Sequence, residues 1–259
     1  MADISYRPLI DDMVWSYSRI SCYQHCGYKW FCKYIRGMSE DERFYTSYGS
    51  FMHKLIEQFY RGELSKDNMK LRFLMDFSKE VKGARPSEKI VQSYIHKGID
   101  YLESFNPFPL NMIDVELEVK YNINDIPFIG YIDYLGEKDG ELYIVDNKSR
   151  DLKPRSGKKK PTKKDEELDE MLIQLYLYAA AVKQLYGKFP KYLCFNCFKN
   201  GVFIEEPFVE EKYEDAIQWA IDTINQIKND EDFRPNVEYF GCMQLCGFTS
   251  ECEYWNNHG

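Results

Sequence analysis

Two aspartates and a lysine carry the sharpest chemical signal in the sequence. Asp133 closes the run Gly130-Tyr-Ile-Asp133, and Gly140-Glu-Leu-Tyr-Ile-Val-Asp146-Asn-Lys148-Ser ends in a D-x-K. Asp146 and Lys148 stand two apart and so share one side of an extended strand. Two carboxylates at neighbouring strand ends repel each other, and a bound cation relieves that repulsion; oxygen ligands of this hardness suit Mg2+ or Mn2+. A lysine beside them can orient or deprotonate a water, or stabilise charge on a phosphate. A D-x-K alone arises often by chance as a solvated ion pair. Here the apolar run Leu142-Tyr-Ile-Val145 places Asp146 where burial begins.

The chain has 8 cysteines. In the tail, Cys242, Cys246 and Cys252 form a C-x3-C-x5-C, and Cys22, Cys26 and Cys32 repeat that spacing near the start. Three close thiolates suit a soft metal, zinc included, that needs one ligand more. Cys194 and Cys197, three apart on an expected strand, read as core residues facing opposite sides. From Arg150 to Lys164 the sequence RDLKPRSGKKKPTKK sets Arg150, Lys153, Arg155, Lys158, Lys159, Lys160, Lys163 and Lys164 against one acid, Asp151. Such a run is commonly a solvated loop; directly after the strand bearing Lys148 it reads as a mobile arm for a phosphate backbone. The formal net charge of −8 would argue against a polyanionic partner if it were evenly spread, but the cations are concentrated here on an otherwise acidic body.

The elements that must position these residues follow from periodicity. The first third is helical: a segment capped by Ser16 or Ser18 and running to about Tyr34, then Tyr48 to Tyr60, then Glu88 to Phe105, with Asn106-Pro107 as a break. From Asp114 the period becomes two, giving a strand, followed by strands at about Ile126 to Leu135 and Glu141 to Lys148 in an antiparallel meander. A polar loop over 150–166 leads to a helix from about Glu166 to Tyr186. Strands at Tyr192 to Phe198 and Gly201 to Pro207, a helix from Glu211 to Lys228, and the tail from Gly241 to Gly259 complete an α/β sheet with helical flanks.

The run GYIDYLGEKDGELYIVDNKS resembles the core of PD-(D/E)XK nucleases, in their RecB-like and Cas4-like branch, where a G-x-x-D precedes a D-x-K. Two further pieces of that pattern stand in the same order. Tyr48-Gly-Ser-Phe-Met-His53 is similar to the early G-x-x-x-H helix, and Gln174-Leu-Tyr-Leu-Tyr178 to the later Q-x-x-x-Y helix. The resemblance implies catalytic roles for Asp133, Asp146, Lys148, Gln174 and Tyr178. It also implies a metal site made of His53, Asp133, Asp146 and the main-chain carbonyl of Asn147. Glu116 matches an acidic residue that the family often carries upstream.

Cas4-like and AddB-like nucleases hold a [4Fe–4S] cluster between one early cysteine and three late ones. The opening Ser16-Tyr-Ser-Arg-Ile-Ser-Cys-Tyr-Gln-His-Cys26 selects Cys26, with Cys242, Cys246 and Cys252 as its partners. The tail is one residue longer than the family's usual C-x2-C-x5-C, and Gly27 stands where proline is common, so Cys22 and Cys32 compete with Cys26 as ligand.

The resemblance implies a restriction-endonuclease-like α/β core within one nuclease domain over 1–259: helices to 110, the core over 111–207, and a helix with the cysteine tail over 208–259. The activity implied is metal-dependent DNA exonuclease hydrolysis at DNA ends or in single strands, with Lys148 helping to generate the attacking hydroxide. Two other readings are a non-catalytic DNA-end or partner-binding subunit of a recombination or CRISPR-adaptation complex, and a structural zinc protein with an incidental D-x-K.

Composition agrees with a packed core: 44% of residues are hydrophobic, with 21 Tyr and 17 Phe, which excludes low-complexity and disordered classes. No apolar run reaches membrane-spanning length, and the start MADISYRPLIDDMVW lacks a basic segment followed by an apolar one, so a cytoplasmic protein is expected. In that reducing compartment a disulfide framework is excluded.

Overall fold

The computed structural model describes residues 6–256; the first five residues of the start read for targeting and the last three of the cysteine tail lie outside it. Helix α1 (Arg7–Asp11) precedes α2 (Tyr17–His25), whose N-cap Ser16 accepts from the Arg19 amide at 3.2 Å. The single helix expected to run to Tyr34 is broken at Cys26, where the backbone is extended (φ −164°). Cys26 then caps α3 (Gly27–Trp30), which passes into a wider π turn at Phe31–Ile35.

Helices α4 (Phe44–Tyr60), α5 (Lys66–Glu80) and α6 (Glu88–Ser104) pack around their own aromatic core. On α4, Phe44, Tyr48, Phe51, Met52 and Leu55 recur at helical spacing and are buried. α5 is absent from the sequence reading. Its buried Met69, Phe73 and Phe77 follow a stripe at steps of four, but exposed Leu71, Leu74 and Met75 make the other side apolar too and blur the period.

The sheet is ordered β1 (Asn111–Ile123), β2 (Ile126–Lys138), β3 (Glu141–Lys148), β4 (Tyr192–Cys197), β5 (Val202–Pro207). The first three strands are the expected antiparallel meander; β3 and β4 are parallel, and β4 and β5 antiparallel. A parallel pair needs a crossover, and α7 (Lys163–Tyr186) supplies it. This helix begins three residues before the expected Glu166, because Thr162 and Asp165 form a reciprocal capping box. Gly187 ends it in the left-handed conformation (φ 74°) that glycine adopts without steric cost.

α7 is buried against the sheet through Leu172, Leu175 and Ala179, and α8 (Glu210–Asn229) packs against α7. Cys197 lies in this core, whereas Cys194 lies on the opposite side of β4 with Phe108 and Tyr134. The tail forms a π turn at Gly241–Leu245 and a short α9 (Glu253–Asn256). It returns to the beginning of the chain: the rings of Tyr28 and Tyr254 meet edge to face with centroids 5.1 Å apart. No helix among the described residues is long and apolar enough to cross a membrane.

Candidate active site

The β2–β3 ladder runs as far as Tyr134 opposite Val145. Beyond it the strands part, and the Asn147 amide donates to Asp133 Oδ2 at 2.7 Å instead of to a strand carbonyl. Asp133 is thereby buried in the fork between two strands. His53, on α4, approaches with Nδ1 3.3 Å from Asp133 Oδ2, and its imidazole also donates to the Asn147 main-chain carbonyl. Glu116 completes the group from β1. One ligand atom from each of His53, Glu116 and Asp133 lies within 4.8 Å of the other two.

The electrostatics of this group are those of a site short of positive charge. Burial, and then the negative charge of Asp146, holds the Asp133 carboxyl above the usual carboxylate range. Burial, and then Asp133, pushes Glu116 up to about 7. Burial lowers His53, which favours the neutral imidazole that ligates metals. A cation removes the penalty on both carboxylates at once, and one nitrogen with two oxygens suits a divalent ion.

Asp146 and Lys148 line the same cleft, of about 700 Å³. Asp146 falls outside the 4.8 Å group; its Oδ2 lies 2.7 Å from Lys148 Nζ as an ion pair, without the alignment of a hydrogen bond. The aligned bond of Lys148 goes to Gln174 Oε1 at 2.9 Å, and Gln174 Nε2 donates to the Tyr178 hydroxyl at 3.1 Å. Steps of four on α7 put Gln174 and Tyr178 on one face, and the Tyr131 main chain hydrogen-bonds the same hydroxyl. Gly130 lets this relay close up: a Cβ there would lie 2.5 Å from Tyr178 Cε1. Gln174 thus touches Lys148 directly, and Tyr178 reaches it through Gln174.

The basic segment is anchored on either side of its exposed tip. Leu152 is buried, and Asp165 accepts from the amide and hydroxyl of both Ser156 and Thr162. Arg155, expected to face DNA, is instead paired with Glu206 and, at 2.6 Å, with Asp169; these carboxylates turn it inward as a staple between loop, α7 and β5. Lys153 pairs with Asp151 at 2.9 Å, and Arg150 lines the cleft. Lys158, Lys159 and Lys160 are exposed at the tip, while Lys163 and Lys164 are exposed on the first turn of α7.

The cysteines from the two chain ends converge. Cys22, Cys26, Cys242 and Cys246 line one cavity of about 450 Å³, and Cys252 is close enough to Cys32 and Cys242 to disfavour their ionisation. Burial pushes the Cys22 thiol up to about 11. All eight cysteines are free. The tail also grips the segment before α4: the Asp41 amide donates to the Gly247 carbonyl at 2.9 Å, and Arg43 bonds Thr249.

A model of the PD-(D/E)XK nuclease superfamily matches residues 14–253. The chain belongs to that superfamily. The solved structures include a candidate exonuclease from Eubacterium rectale, 15% identical, with a TM-score of 0.51 and coverage of 94% of this chain and 91% of that one. Another is the protein SSO0001, also 15% identical, with a TM-score of 0.32 over 79% of this chain and 95% of that one. A search of curated protein sequences gives no match.

The fold thus brings Asp133, Asp146 and Lys148 to one cleft, and the first of the two similar structures shares that fold. Glu116 is the residue whose part in the group periodicity could not reveal. Its φ of 51° is left-handed in mid-strand, which breaks the alternation on which a period-two reading depends.

Proposed function

We propose that this nuclease is a divalent-metal-dependent DNA exonuclease acting at DNA ends or on single strands. The observation that carries the reading is the His53, Glu116 and Asp133 group set beside the Lys148–Gln174–Tyr178 relay in one cleft. A divalent ion held there supplies positive charge for phosphate oxygens and makes a water more acidic. The chain does the rest. His53 and the carboxylates fix the ion's place, Asp146 and Gln174 hold Lys148, and Lys148 faces the cleft to orient the attacking water or to stabilise charge on the phosphate.

A [4Fe–4S] cluster joining the two chain ends is part of the same reading. It is supported by the cavity shared by Cys26, Cys242 and Cys246 and by Cys252 beside Cys242. Its role would be structural, because the tail that it secures holds Asp41 and Arg43 just ahead of the helix carrying His53. The exposed lysines around Lys158–Lys160 would meet the DNA backbone.

The deciding assay incubates the protein with single-stranded, blunt duplex and circular DNA in Mg2+, Mn2+ or EDTA. Cleavage of linear but not circular substrates, abolished by EDTA, is the expected result; absence of cation-dependent cleavage on every substrate removes the reading. Iron and sulfide analysis of anaerobically prepared protein tests the cluster separately, and zinc without iron rejects it.

A further inference from the structure

We infer that Tyr131 is a stacking platform for an unpaired nucleobase of the substrate, next to the phosphate held at the carboxylates. The inference rests on the nuclease reading and adds a base-binding subsite to it.

Tyr131 lines the same cleft as Asp133 and stands two residues before it on β2, about 7 Å away along an extended strand. It is 49% exposed, whereas the other tyrosine of the cleft, Tyr178, is 7% exposed. Tyr131 is therefore the aromatic ring that the cleft offers to a ligand among the described residues. A ring serving only to pack β1 against β2 would be covered.

The ring is held ready. Its hydroxyl donates to Glu118 Oε2 at 2.9 Å, and Lys120 holds the other oxygen of that carboxylate, also at 2.9 Å. A side chain already oriented loses less freedom on binding. Its main chain is tied to the Tyr178 hydroxyl, and through Gln174 to Lys148, so ring and lysine keep a fixed relation. Nucleobases stack on such exposed rings with little regard to sequence, because every base has a π face. A base within a duplex is already stacked on its neighbours and has no free face to give. The subsite therefore selects frayed or single-stranded ends.

The test uses single-stranded DNA oligonucleotides with one abasic residue stepped inward from each end, cleaved in Mn2+ by the wild-type protein, Tyr131→Ala and Tyr131→Phe. One abasic position is expected to raise the wild-type KM roughly five- to hundred-fold. Tyr131→Ala raises KM on the intact strand to a similar degree and no longer responds to that position; Tyr131→Phe, which keeps the ring, recovers most of the loss. A flat abasic scan with wild-type protein overturns the inference, and that arm stands even if the alanine variant fails to fold. So does a Tyr131→Ala protein that still senses the abasic position. Wild-type protein without cation-dependent cleavage overturns the nuclease reading instead. In that event, fluorescence anisotropy with the same oligonucleotides decides Tyr131 alone: binding weakened by one abasic position supports it, and equal binding removes it.

Discussion

The Asn147 amide donates to Asp133 Oδ2 at 2.7 Å in the place where the next rung of the β2–β3 ladder would form. A side-chain carboxylate thus ends a run of main-chain pairing, and its charge sits in a fork lined by His53 and Glu116. The exchange keeps the amide satisfied while placing Asp133 against two other ligand atoms.

Lys148 is expected to be indispensable to turnover. Lys148→Ala or Asp146→Ala should lower cation-dependent cleavage by about 1,000-fold or more, since loss of charge stabilisation worth ~4 kcal/mol costs three powers of ten. Lys148→Ala also leaves the Asp146 carboxylate, 4% exposed, without its cation. Its melting temperature in EDTA should therefore fall below that of the wild type. Steady-state cleavage and a thermal melt check both; cleavage retained by either purified variant removes the site assignment.

Glu116 gives the site a defined pH dependence. A carboxyl raised to about 7 in the folded protein, against about 4 when unfolded, binds protons more strongly in the folded state. Its contribution to the stability of the metal-free protein is therefore most favourable at low pH and declines as pH rises from about 4 to 7. A cation reverses this penalty, so Mn2+ should raise the melting temperature more at pH 8 than at pH 5.5. Binding below pH 7 should release protons, seen as a buffer-dependent heat in calorimetric titration. Glu116→Gln should flatten the pH dependence and weaken cation binding at least about tenfold, because ligand charge sets affinity in such sites.

These relationships explain what could be read in advance. The meander and the crossover helix follow from a change of period, and the D-x-K follows from an apolar strand that ends in charge. The split at Cys26 depends on an extended backbone at one residue, and α5 was hidden because both of its faces carry apolar side chains. Within the site, His53, Gln174 and Tyr178 were legible through a motif resemblance. Glu116 was legible through the same resemblance only as an upstream acid; its place in the ligand group was not, because its left-handed backbone breaks the period of two.

Gly130→Ala tests the relay without touching a charged group. A Cβ at 2.5 Å from the Tyr178 ring must displace it, and overpacking of this kind costs about 1–3 kcal/mol. For a chain of this size that lowers the melting temperature by about 2–6 °C. Because Tyr178 holds Gln174, and Gln174 holds Lys148, cleavage should fall about tenfold or more in the fraction that stays folded. A destabilised variant with wild-type turnover at low temperature would show that the relay does not position Lys148.

The basic segment should divide into two kinds of cation. Lys158, Lys159 and Lys160 are exposed at the loop tip, whereas Arg155 is committed to Asp169 and Glu206. If the tip meets phosphates, replacing the three lysines by glutamine should reduce the slope of log affinity against log salt by about 2 for single-stranded DNA, since each neutralised phosphate contributes about 0.7. Arg155→Ala should leave that slope nearly unchanged and lower the melting temperature, because it strands the Glu206 carboxylate, leaves Asp169 with Lys212 alone, and frees the loop from α7 and β5. Anisotropy titrations across a salt series, with a thermal melt of each variant, separate the two roles. An unchanged slope in the triple variant removes the loop tip from the DNA interface, and a lowered slope in Arg155→Ala would move Arg155 into it.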